Sequence, residues 1–168
     1  MTALRSLIAA AAALLILVPA ASAEDHPEII HVHEAYARLG PASGAVFFLI
    51  HNNGETDLHL TGARADVARK VELHTHVETA DGVMQMTEIE GGVALPAGQM
   101  HSFERGGDHV MLMGLTAKLK DGDLIPVTLV FEDGTEFQFD ATVDNARKPG
   151  GAMGHSGHQM GHSGAMSD

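Results

Sequence analysis

Cysteine is absent from all 168 residues. A blue-copper electron-transfer centre needs a thiolate ligand and is therefore excluded. Disulfides are excluded as well, so any fold must be held by its own core. Basic residues are few, 10 against 22 acidic, for a formal net charge of −12. Nucleic-acid binding wants a basic footprint, and none is expected here. The acidic balance suits solubility and the attraction of cations. Long apolar runs are also missing. A membrane span takes about 20 residues, whereas the longest run, Leu7 to Val18, has 12. No long amphipathic helical pattern, catalytic triad, paired carboxylate site or nucleotide loop stands out.

What is present begins with a leader. Arg5 precedes the apolar run, and Ala21-Ser22-Ala23 follows it with small-residue cleavage spacing. This predicts a signal peptide over 1–23, export, a mature start at Glu24, and no membrane span after cleavage. A start at Glu24-Asp25-His26 would also make a minor square-planar candidate for Cu(II) or Ni(II), through amine, amide and imidazole nitrogens.

The body, 24–146, reads as one domain of short strands. They are expected over Ile29–Ala37, Gly44–His51, Leu58–Arg64, Lys70–Val77, Val83–Ile89, Met100–Glu104, His109–Leu115, Ile125–Glu132 and Thr135–Val143. Turn signals separate them, and Asp133-Gly134 between two alternating runs is the strongest hairpin signal. One short helical turn is expected over Ala63–Lys70. Together these features predict an all-β Greek-key barrel or sandwich. After Ala146 the composition turns to Gly, Ser, His and Met. Residues 147–168 therefore read as a flexible tail too poor in apolar bulk to fold alone.

Two segments of the body concentrate histidine and methionine. One runs Glu72-Leu73-His74-Thr75-His76 and continues to Met84-Gln85-Met86. The other is His109-Val110-Met111-Leu112-Met113. Strand side chains alternate between faces, so His109 shares a face with Met111 and Met113, His74 with His76, and Met84 with Met86. Thioether sulfur is a soft ligand that selects Cu(I), and imidazole serves either oxidation state of copper. Core packing is the commoner use of methionine, but two clusters in one chain favour a copper site. His31 and His33 share a strand face, as do His51 and Asn53, and read as surface or packing residues.

At these segments the chain resembles the periplasmic copper chaperone family PCuAC, which helps load the copper A centre of cytochrome c oxidase. The family motif orders a His, a Met and then His-x-Met. Here His74 is followed by eleven residues and Met86, and twenty-two more lead to His109, Val110 and Met111. Each gap is one residue longer than the nominal motif, and the turns near Asp81-Gly82 and Gly106-Gly107 can hold the extra residue. The resemblance spans Ile29 to Val143. It implies a cupredoxin-like fold, a periplasmic location, and His74, Met86, His109 and Met111 as Cu(I) ligands. It also implies a copper acceptor, either the copper A subunit of the oxidase or a thiol-bearing assembly chaperone.

The tail is a second candidate site. His155, His158 and His162, with Met153, Met160 and Met166, suit Cu(II) through imidazole, the thioethers assisting Cu(I). Copper buffering or resistance, with the tail as sink, is the alternative to delivery. A copper oxidase or dismutase is a weaker reading, because a methionine-rich site favours keeping copper reduced.

Overall fold

The structure is a computed structural model, and it describes residues 29–148. The leader over 1–23, the Glu24-Asp25-His26 motif and the tail residues Met153 to Met166 lie outside the described residues. Within them the chain forms ten strands and no helix. These are β1 (Ile30–Leu39), β2 (Ser43–Asn52), β3 (Leu58–Arg64), β4 (Ala68–Glu78) and β5 (Met84–Glu88). They continue as β6 (Val93–Leu95), β7 (Met100–Phe103), β8 (His109–Leu115), β9 (Leu124–Phe131) and β10 (Glu136–Val143).

All nine expected strands are present. The three-residue β6 was not expected, being too short to show alternation. The helical turn expected over Ala63–Lys70 does not form. A tight turn closes there instead, with Ala68 N–H donating to Ala65 C=O at 3.3 Å. The chain then enters β4, where Ala68 pairs with Leu115 of β8. Ladder pairing satisfies the backbone that an isolated helical turn would leave exposed.

The strands join one mixed sheet in the order β5-β4-β8-β2-β1-β10-β9-β3-β6, with β7 also paired to β2. Only β1 and β10 run parallel among the assigned pairs. The path does not close, and β5 and β6 are its edges. β3 nonetheless packs against β4, to which it is not paired, so the sheet curls around a single core. That core takes alternate residues of the strands. Val127 and Leu129 of β9, Val110 and Leu112 of β8, and Val46 and Ile50 of β2 are fully buried. Phe48 stacks on Phe103 with ring centroids 4.4 Å apart.

Turn chemistry fixes the registers. The Asp133-Gly134 hairpin forms as expected: Gly134 takes φ 83°, Phe131 N–H donates to Thr135 C=O, and Asp133 accepts from the Thr135 backbone N–H at 2.9 Å. Asn52 ends β2 fully buried. Its amide donates to Thr56 C=O at 2.8 Å and Leu95 C=O at 2.9 Å, and its oxygen accepts from Gly54 N–H at 3.0 Å. A buried amide is tolerable because it is satisfied in this way.

Candidate metal centre

The three strands β5, β4 and β8 lie side by side at one end of the sheet. Leu73, Val110 and Leu112 point into the core. Their alternates therefore occupy the other, outer face. In register, His74 stands directly opposite His109, and Glu72 opposite Met111. On the other side His76 stands opposite Met86, His74 opposite Glu88, and Glu78 opposite Met84. Directly opposed residues share a face. His74, His76, Met86, His109 and Met111 thus form one outer patch. The central His74–His109 pair has Met111 toward one end and Met86 toward the other.

The two central imidazoles are tied through different nitrogens. His74 Nε2 lies 2.9 Å from Glu72 Oε2, and His109 Nδ1 lies 3.1 Å from Gly107 C=O. An ionised carboxylate and a carbonyl only accept, so each ring donates through that nitrogen. His74 Nδ1 and His109 Nε2 are then the lone-pair nitrogens. Both are buried, and neither has a hydrogen-bond partner. Buried polar atoms are normally paired, so two orphaned imidazole nitrogens on neighbouring, edge-on rings are free to accept a proton or a metal ion. The ring centroids are 6.0 Å apart.

Electrostatics support the same state. His109 is 1% exposed. Burial pushes its pKa below the ordinary 6.5, the Gly107 carbonyl opposes this, and the neighbouring His76 and His74 lower it further. The ring is kept neutral, as a ligand must be. Glu72 is held below its ordinary range by hydrogen bonds from Lys70 and then from His74. It stays ionised and can orient His74. His101 Nε2 lies 2.9 Å from Asp108 Oδ2, tying β7 to the loop whose Gly107 carbonyl orients His109.

Phe47 closes the patch from β2. It is buried, yet it stands apart from the core cluster, with its ring 6.0 Å from His109 and 5.1 Å from Tyr36. The Arg147 guanidinium sits 4.3 Å over Tyr36 and pairs with Glu34 at 3.2 Å. This places the end of the described chain beside Tyr36, whose ring reaches His109 only through Phe47.

All four residues expected as ligands lie on the patch. Met86 is 43% exposed on the edge strand and stands opposite His76, not His74. His76 was given no ligand role by the sequence. Its ring lies 5.3 Å from His109, closer than that of His74. The HTH alternation of β4 was the signal for it. No three His, Asp or Glu side chains among the described residues converge well enough to hold an ion alone. Any metal held here would need the sulfurs.

The fold matches solved copper-protein domains. The solution structure of CuI-DR1885 from Deinococcus radiodurans is 30% identical, with TM-score 0.54 over 75% of this chain and 84% of that one. The apo PCuAC domain from PmoF1 is 25% identical, with TM-score 0.56 over 69% and 93%. The copper-bound PCuAC domain from PmoF2 is 23% identical, with TM-score 0.55 over 69% and 92%, and speaks to the fold alone. The class is therefore a cupredoxin-like domain of the PCuAC type. In sequence, residues 30–143 match the family described as "Putative lipoprotein LpqE-like", and the chain belongs to that family. "Putative lipoprotein Lxx21020" of Leifsonia xyli subsp. xyli (strain CTCB07) is 36% identical over 107 residues, 63% of this chain. The match spans 64% of that relative's length.

Proposed function

We propose that this chain is an exported copper chaperone, not an enzyme, that carries Cu(I) on His74, Met86, His109 and Met111. The observation that carries the reading is the pair of orphaned nitrogens, His74 Nδ1 and His109 Nε2, on histidines directly opposed in register and on a face shared with the two thioethers. Two neutral imidazoles and two soft sulfurs suit Cu(I), and methionine has little use for zinc or hard cations. The solved copper(I) form of the Deinococcus radiodurans relative, 30% identical, supports the choice of metal.

Release proceeds by ligand exchange. Met86 is half-exposed on an edge strand, so an incoming ligand can attach on that side before the histidines let go. A thiolate is softer than a thioether and draws Cu(I) onward. The acceptor in this proposal is the copper A subunit of cytochrome c oxidase or a thiol-bearing assembly chaperone in the periplasm. The tail over 147–168, through His155, His158 and His162 with Met153 and Met160, adds Cu(II) capacity.

Anaerobic Cu(I) titration against a chromophoric chelator tests the core assignment. Joint Met86→Ala and Met111→Ala substitution is expected to weaken binding by at least about a hundredfold, more than the loss of a supporting partner alone. Unchanged affinity would refute the ligand set. Deleting 149–168 separates delivery from buffering. Delivery predicts slower transfer to a copper A fragment, and buffering predicts lower stoichiometry with transfer intact.

A further inference from the structure

A second row of histidine and methionine crosses the sheet where the sequence suggested only surface and packing residues. His31 of β1 stands directly opposite His51 of β2, and His51 stands directly opposite Met100 of β7. Opposed residues share a face, so the three side chains form a rung across three adjacent strands. His33, two residues along β1, adds a fourth donor, its ring stacked 6.3 Å from that of His31. All four are accessible: His31 and His33 are exposed, His51 is partly so, and Met100 is 50% exposed. His51 has one light tether, a 3.4 Å contact from Nε2 to the Gly98 carbonyl.

The geometry points to a second copper site, which takes Cu(I) on His31, His51 and Met100 with His33 alongside. Neighbouring strands lie about 4.8 Å apart, so His31 and Met100 stand roughly 10 Å apart across the central His51. Both side chains are long enough to lean over His51 toward one ion. Two imidazoles and a thioether form a soft, neutral set that selects Cu(I) over zinc or calcium. At 50% exposed, the Met100 thioether is open to an ion from solvent.

The site is distinct from the His74–His109 patch. β2 carries Phe47 beside His109 and His51 four residues further along the same face. At about 3.3 Å per residue, the separation is about 13 Å. One ion cannot serve both, and the second site does not depend on the ligand set proposed for the first.

Site-resolved NMR tests this. The protein is titrated anaerobically with Cu(I), following the methyl groups of Met100 and Met111 and the rings of His31 and His51. The expected result is a Met100 methyl shift that moves with both rings and saturates separately from Met111. Met100→Leu keeps volume and fold. It is expected to weaken that step by more than about tenfold, the loss a supporting partner alone can cause, while the Met111 shift is retained. A Met100 methyl that stays still throughout, or that moves while His31 and His51 do not, would overturn the site. So would an unchanged His51 response in Met100→Leu.

Discussion

His74 and His109 face each other across β4 and β8, each with one nitrogen tied down and the other buried without a partner. The ties differ in kind, since Glu72 holds one ring and the Gly107 backbone the other. Only the first can be removed by mutation. Glu72→Ala is expected to weaken Cu(I) binding by about 10- to 100-fold with the ligands themselves intact. Competition with a chromophoric chelator reads this directly, and wild-type affinity would show that Glu72 has no orienting role.

The two methionines of β5 make a matched pair. Met84 and Met86 share a face and are both exposed, at 54% and 43%, but Met86 stands opposite His76 and Met84 opposite Glu78. Met86→Leu should weaken Cu(I) binding by about tenfold or more, whereas Met84→Leu should leave it within about twofold, leucine being close to methionine in volume. Equal effects would remove Met86 from the ligand set.

Acid should loosen the metal-free domain through His109. Its folded-state pKa lies below the ordinary 6.5, chiefly through burial. Below that value the unfolded chain takes up a proton that the folded chain resists. The contribution to stability is thus complete above about pH 6.5 and declines as the pH falls toward the depressed folded value. Urea midpoints measured on each side of that pH should fall on acidification, and the fall should be smaller in His109→Gln. An equal fall in both proteins would contradict this.

Asn52 makes a prediction about the fold alone. Asn52→Ala leaves the Thr56 and Leu95 carbonyls without the amide donor they now share. Stability should drop by roughly 2–4 kcal/mol, from two acceptors losing their partner. Equilibrium unfolding measures this, and a loss within experimental error would indicate that water replaces the amide.

Much of the fold was legible because the strands alternate strictly and glycine turns punctuate them. His109-Val110-Met111-Leu112 announces its two faces in four letters, and the structure buries Val110 and Leu112. What the sequence withheld is register between distant strands. That His74 meets His109, and that His31, His51 and Met100 line up, depends on pairings between residues 20 to 49 positions apart. No local pattern encodes such pairings. Asn52 falls just past the strand expected over Gly44–His51, and only burial reveals it as a brace. The short helical turn expected over Ala63–Lys70 failed for the converse reason, as local preference yielded to pairing with β8.

The strands bearing the proposed ligands differ in how firmly they are held. β4 and β8 have neighbours on both sides, whereas β5 lies at the open edge with one row of backbone groups unmatched. Edges open at lower free energy than centres. With the proposed ligand set, the histidines would govern how much copper stays, and Met86 how quickly it leaves. A carrier divided in this way can hold its cargo tightly and still surrender it within the lifetime of one encounter.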